Sequence, residues 1–329
     1  MSLAEFDERA GDHPIVFVAL DGACPPLPGP LPTRAGVFVG VDRGGAVPAG
    51  LENAFDVLLT TNEQAPAPWV GLTPAGVDQA VALLSDAVAA HPLAATVLAQ
   101  VLRCGEGQTF EQALLLESLA YSTLQGGAEC RSWRSRQPAR VARPAATGVV
   151  RLERRGDGLQ IVLARPEVHN AFGARMRDEF VEAMQLPLLD PSIRRVVVTG
   201  EGPSFCSGGD LLEFGTASDP ATAHAVRLQH SAALLVHRLA ERVEVRVHGA
   251  CIGAGIEVSA AAGHVSARRD AWFRLPEVGM GLLPGAGGTA SIPRRIGRHR
   301  ACYMALTGAN IDTRTALRWK LVDAVTEDA

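Results

Sequence analysis

The stretch His248-Gly249-Ala250-Cys251-Ile252-Gly253-Ala254-Gly255-Ile256-Glu257 decides the fold when read with Phe273-Arg274-Leu275-Pro276-Glu277 and the run Gly281-Leu282-Leu283-Pro284-Gly285-Ala286-Gly287-Gly288-Thr289. Each glutamate sits beside a glycine-rich turn. In the first segment a buried strand ends, three small residues make the turn, and a helix opens with Glu257 on its first turn. In the second, Pro276 biases Leu275 towards extended geometry just ahead of Glu277. A buried pair of carboxylates beside exposed backbone N–H groups can add or remove water, or move a proton, next to a carbonyl. Alone, Glu257 reads equally as a complement to its helix dipole, and Glu277 as a surface loop acid.

Upstream, Ser204-Phe205-Cys206-Ser207-Gly208-Gly209-Asp210 follows the buried strand Arg195-Val196-Val197-Val198-Thr199-Gly200. Gly208 and Gly209 let the backbone approach a ligand without a Cβ clash, and Asp210 suits the cap of a following helix. By itself this segment reads as a tight strand-to-helix turn. With the turn at 253–255 it supplies a second main-chain donor. The Gly209 and Ala254 N–H groups together would form an oxyanion hole, with Cys206, Ser207, Gly208, Gly253 and Pro276 as neighbours that contact substrate. A nucleophilic role for Cys206 or Cys251 lacks a partnered base; both read as small packing residues. His248 reads as a strand end. His230 and His237 share a helix face with no third ligand, so no metal site is expected. The run 285–289 lacks the lysine of a phosphate-binding loop.

Short apolar runs at 14–20, 36–41 and 55–60 predict buried strands. Helical periodicity covers 74–103 and 109–124, with Thr73 and Thr109 as N-caps and Gln112 completing a capping box; Gly126-Gly127 stops the second. Beyond an Arg/Ala/Pro-rich linker at 134–146 come a hairpin at 149–163 around Gly156-Asp157-Gly158, a helix at 171–186, the strand 195–200, a long helix at 220–240 and a strand at 243–247. Strands alternating with helices imply an α/β layered fold with its site at strand ends. Two regions are expected: 1–145, an N-terminal α/β region with a helical segment, and 146–329, the catalytic core.

Charged residues make up 20% of the 329 and the formal net charge is −4, so the chain carries no basic field for nucleic acid. Lys320 is the single lysine, which removes most Schiff-base chemistry. The six cysteines show neither C-x-x-C pairs nor metal-ligand spacing, consistent with free thiols in a reducing cytoplasmic setting. Residues 1–10 lack the apolar segment of a secretory signal, and no run of eighteen apolar residues predicts a membrane span.

Residues 148–327 resemble the enoyl-CoA hydratase/isomerase (crotonase) family. The resemblance rests on Ala164-Arg165-Pro166-Glu167-Val168-His169-Asn170-Ala171, on 205–210, on 248–257, and on Leu275-Pro276-Glu277 with the run 284–289; Arg294 to Gly297 and Thr307-Gly308-Ala309 also fit. It implies a crotonase-like ββα spiral core, an acyl-CoA thioester as substrate and no cofactor beyond the substrate's own coenzyme A. It further implies a carbonyl held between Gly209 and Ala254, a homo-oligomer (trimer or hexamer), and a lyase in which Glu257 and Glu277 hydrate an enoyl-CoA or dehydrate its product. Sister reactions on the same scaffold, namely isomerisation, hydrolysis and decarboxylation, remain open, as does a non-catalytic acyl-CoA-binding subunit. Departures from the family pattern are Gly263 for an aspartate, Val168 for a basic residue and Ala254 for a glycine. The family's helical tail does not follow at Ala329. Residues 81–140 are similar to that tail. Either this N-terminal α/β extension supplies the helical lid, with Arg131, Arg134 and Arg136 near the CoA phosphates, or it is an unrelated appendage.

Overall fold

The computed structural model describes residues 14–21, 35–137, 148–214 and 219–327. The linker expected at 134–146 falls largely outside them.

The N-terminal runs form a parallel sheet in the order β1 (Ile15–Ala19), β2 (Val37–Asp42), β3 (Val57–Thr60), β4 (Val70–Gly71). β2 and β3 are buried along their whole length, which is why they read as continuous apolar runs without alternation. The helix expected at 74–103 is two helices, α1 (Pro74–Ala90) and α2 (Pro92–Gly105), bent by 110° at His91-Pro92. Pro92 cannot continue α1 but suits the first position of α2. Thr73 caps α1 by accepting from the Gly76 N–H, and Thr109 and Gln112 form the capping box of α3 (Phe110–Gln125). The short helix α4 (Ala128–Ser135) follows. Among the described residues no single helix is long and apolar enough to cross a membrane.

The second half opens with the expected hairpin, β5 (Val150–Arg155) and β6 (Gly158–Leu163), joined in one sheet by β7 (Arg195–Gly200), β8 (Val243–Val247), β10 (His264–Arg268) and β13 (Ala324–Thr326), in the order β13-β10-β8-β7-β6-β5. β9 (Ala250–Ile252), β11 (Trp272–Arg274) and β12 (Ile311–Asp312) make a small second sheet. The helices of this half are α5 (Ala174–Leu189), α6 (Pro220–Gln229), α7 (Ala232–Arg238), α8 (Ala254–Ser259), α9 (Gly288–Ile296), α10 (Arg298–Thr307) and α11 (Thr313–Trp319). The long helix expected at 220–240 is therefore broken. Ser231 accepts from the Leu234 N–H and starts α7 afresh. Among the described residues Asp210 caps no helix; it accepts from the Leu212 N–H and lies 3.4 Å from Arg165, while Asp219 caps α6.

One hydrophobic core joins the halves, with Leu98, Phe110 and Leu114 in the same cluster as Ile256, Val258 and Met304. Buried polar contacts reinforce the join. Arg298 at the start of α10 donates to the Phe55 carbonyl at 2.9 Å and pairs with Glu106. Arg300 donates to the carbonyls of Trp69 and Ala65. The guanidinium group brings five donors to carbonyls that would otherwise be buried unmet. The N-terminal region thus packs on the second half through both apolar and polar contacts. Gly263, where the family pattern has an aspartate, donates to the Ala240 carbonyl at 3.1 Å, and a Cβ there would collide with that carbonyl.

Candidate active site

β9 ends at Ile252, and the chain turns at Gly253 with φ 48° and ψ −123° into α8. The turn lies against the earlier glycine pair. A Cβ on Gly208 would meet the Ile252 carbonyl oxygen at 3.1 Å and the Gly253 Cα at 3.8 Å. Asn170 pins the earlier turn from behind. Its side-chain amide donates to the carbonyls of Glu201, Ser204 and Phe205 at 2.9–3.1 Å, and its oxygen accepts from the Arg165 N–H. This accounts for the 164–171 segment: its asparagine locks the loop that presents Gly209. Neither the Gly209 nor the Ala254 N–H meets an acceptor among the described residues, and both residues line one cavity of about 370 Å³. That volume suits a small-molecule ligand.

Glu257 and Glu277 line the same cavity and are only 2% and 8% exposed. A Cβ built on Gly253 would stand 2.6 Å from Glu277 Oε1 and 3.8 Å from Glu257 Oε1, so the two oxygens are separated by no more than the sum of those distances. Glu257 Oε2 accepts from the Ala286 N–H at 2.7 Å and the Gly288 N–H at 3.0 Å. Glu277 Oε2 is buried and has no hydrogen-bond partner among the described residues. Burial first, then the charges of Glu277 and Glu117, hold the Glu257 carboxyl well above the usual carboxylate range against the pull of its two amide bonds. Burial, with Glu117 behind it, pushes Glu277 up to about 8. Like charges this close resist joint ionisation, so the pair retains a proton near neutral pH.

Sequence reasoning missed Glu117. It comes from α3 in the N-terminal region, is 2% exposed and lines the cavity with Leu114, Ser118 and Tyr121. Its Oε1 accepts from the Gly287 N–H at 2.7 Å; its Oε2 accepts from the Thr289 N–H at 2.8 Å and the Thr289 hydroxyl at 2.7 Å. A signal was present. Phe110, Ala113, Leu114 and Glu117 fall at helical spacing on one face, so the acid lies on an otherwise apolar stripe.

Cys206, Ser207, Gly208, Gly253 and Pro276 do not line this cavity; Cys206 lines a smaller one with Phe172, Ala254 and Val258. Cys206 pairs with Cys251 through the backbone, as a short parallel β-bridge; both thiols are free, and burial pushes that of Cys206 up to about 12. Ser207 donates its N–H to the His169 carbonyl. Arg131, Arg134 and Arg136 do not line it either, whereas Arg177 and Arg227 do. His248 holds the Gly202 carbonyl at 2.9 Å, His230 pairs with Asp178 at 3.3 Å and His237 stacks on Phe110. Among the described residues no group of three His, Cys, Asp or Glu side chains is arranged to hold a metal.

A family model for enoyl-CoA hydratase/isomerase matches residues 155–329. The 2,3-dehydroadipyl-CoA hydratase of Escherichia coli is 33% identical over 167 residues, which are 51% of this chain and 65% of that protein. The 1,2-epoxyphenylacetyl-CoA isomerase of the same organism is 32% identical over 174 residues, 52% of this chain and 66% of that protein. The chain thus spans just under two thirds of the length of these relatives. The crystal structure of enoyl-CoA hydratase from Thermoplasma volcanium superposes with a TM-score of 0.51 at 32% identity, covering 55% of this chain and 73% of that one. The chain belongs to the enoyl-CoA hydratase/isomerase family, with its crotonase-type α/β fold.

Proposed function

We propose that this protein is a lyase that adds water across, or removes it to form, the α,β double bond of an enoyl-CoA thioester. The observation that carries this reading is the convergence of Glu257 and Glu277 on the Gly253 turn, in the cavity that also holds the free Gly209 and Ala254 amides. In this mechanism the thioester oxygen lies between those two N–H groups. Each donor to the enolate-like charge that develops there is worth about 3–4 kcal/mol. One carboxylate takes a proton from water as its oxygen attacks Cβ, and the partner carboxylic acid gives its proton to Cα. The pair starts and ends with one proton between them. Coenzyme A belongs to the substrate, and the chemistry asks for no other cofactor. In this reading the acyl chain packs against Phe172, Phe214, Leu114 and Val226, the apolar side chains that line the cavity.

The test is mass spectrometry of the full chain with short unsaturated acyl-CoAs in ¹⁸O-labelled water. Gain of one labelled water supports the reading. Glu257→Gln and Glu277→Gln should each lower the rate by about 10²–10⁴-fold, the usual worth of a positioned acid or base. Movement of the double bond without label, surviving one of the two substitutions, would replace hydration with isomerisation. Binding without any turnover would leave only an acyl-CoA-binding role.

A further inference from the structure

We propose that Glu117 is a positioning residue for the acid pair, acting through the turn at 286–289 that it shares with Glu257. Four consecutive backbone amides are divided alternately between two buried carboxylates. Ala286 and Gly288 donate to Glu257, and Gly287 and Thr289 donate to Glu117. This segment leads into α9, so the amides also carry the positive end of a helix dipole. Neither acid can move without reorienting the amides held by the other. The turn is tight on all sides: a Cβ on Gly288 would stand 2.8 Å from Glu257 Oε2, one on Gly287 would collide with Ala233, and one on Gly285 would collide with the Tyr121 ring.

Every partner of Glu117 is a donor: two amides and a hydroxyl. A protonated carboxyl would turn its own hydrogen towards one of them, so the geometry favours the ionised form. Burial, offset by those bonds and by Arg227, leaves this carboxyl at about 7. The charged and titratable groups around it are few. Glu257 faces it from α8 and Glu277 from the 3-10 turn Glu277–Met280. From α6, Arg227 donates to the Ser118 hydroxyl and carbonyl and to Ser122, and lies 4.6 Å above the Tyr121 ring; His224 reaches Ser118 at 2.9 Å. Arg294 from α9, His237 from α7 and the Arg238–Glu111 pair lie at the other end of α3, around Phe110. Glu117 therefore adds a negative charge next to two acids, with Arg227 the cation that acts on it among the described residues. It orients Glu257 and helps keep a proton on the pair.

The kinetic part of this inference rests on the proposed hydration; the structural part does not. The test uses the full chain with Glu117→Gln, Glu117→Asp and Thr289→Val. In Glu117→Gln the amide oxygen can still accept from Thr289, but its NH2 group opposes the Gly287 N–H. The expected result is a fall in kcat of about 10–100-fold with KM changed less than about threefold, the effect of sub-ångström misplacement of a catalytic group. Both limbs of the pH–rate profile should move to lower pH, because a like charge beside Glu257 and Glu277 is gone. Hydrogen exchange of the amides at 286–289 should accelerate. Glu117→Asp keeps the charge, so its kcat should fall with a profile unmoved. Thr289→Val removes one of three donors and should give a smaller change in the same direction as Glu117→Gln.

A folded Glu117→Gln variant with unchanged kcat and pH profile would overturn the proposal. So would a loss of activity that tracks thermal stability with both limbs in place. If Glu117→Gln does not fold, an unaltered turnover and exchange rate in Glu117→Asp and Thr289→Val would overturn it equally. If the parent hydrates no enoyl-CoA, the hydration reading fails alone. Exchange at 286–289 and infrared titration of the buried carboxyls, compared between the parent and Glu117→Gln, then decide the role of Glu117.

Discussion

Replacing Glu277 by glutamine should change how stability depends on pH more than it changes stability itself. Glu277 is buried, its Oε2 has no hydrogen-bond partner among the described residues, and its carboxyl is raised from 4.5 to about 8. Across that interval the folded chain holds a proton that the unfolded chain has released, so the free energy of unfolding falls as pH rises. The contribution is whole below pH 4.5 and lost as pH climbs through 8. At 1.36 kcal/mol per unit, the rise from 4.5 to about 8 sets a ceiling of about 5 kcal/mol. Glutamine is nearly isosteric and does not titrate. It also removes the charge that raises Glu257. The parent and Glu277→Gln should therefore unfold in urea within about 1 kcal/mol of each other at pH 5, where both side chains are neutral in the folded state and little of the proton-linked stability has yet been lost. At pH 9 the variant should be the more stable by roughly 2–5 kcal/mol. Urea midpoints at pH 5, 7 and 9, with equal m-values, provide the measurement. Parallel pH–stability curves for the two proteins would refute the reasoning, because they would mean that Glu277 enters the folded state with an ordinary carboxyl.

Two further outcomes follow from close contacts. In Gly253→Ala the new Cβ would meet Glu277 Oε1 at 2.6 Å, and the residue must hold φ 48°. The proposed hydration should fall by about 10²-fold or more with about 1–3 kcal/mol of stability lost; steady-state kinetics beside urea unfolding checks both, and unchanged turnover would disprove the tight fit. Asp56 accepts from the Phe38 N–H at 2.8 Å and pairs with Arg103, both side chains being at most 3% exposed. Asp56→Asn leaves the Arg103 charge buried without its counter-ion and should cost about 3–5 kcal/mol at pH 7; a loss below about 1 kcal/mol would mean that water or another group compensates it.

The two acids and the turns beside them were legible because each is written in a short linear segment. Glycines at 208, 209, 253 and 255, with acids at fixed offsets, serve local turn geometry and can be read without knowing what packs on them. The caps at Thr73 and Thr109 were legible for the same reason. The break at Ser231 was marked only by a serine within a helical pattern, and the bend at Pro92 by a proline. Both helices continue in their apolar periodicity across the break, so periodicity outweighed the punctuation. Asp210 had the right residue type for a cap, but its side chain turns to Leu212 and Arg165 instead.

Residue order alone determined the strands, the glycine turns and the two carboxylates, since each depends on neighbours a few positions away. Only tertiary packing decided that an acid on α3 would meet the amides of Gly287 and Thr289, 170 and 172 residues along the chain. Local propensity is indifferent to such a meeting. It arises because the apolar stripe of α3 must be covered, and the surface that covers it carries four main-chain donors in need of acceptors.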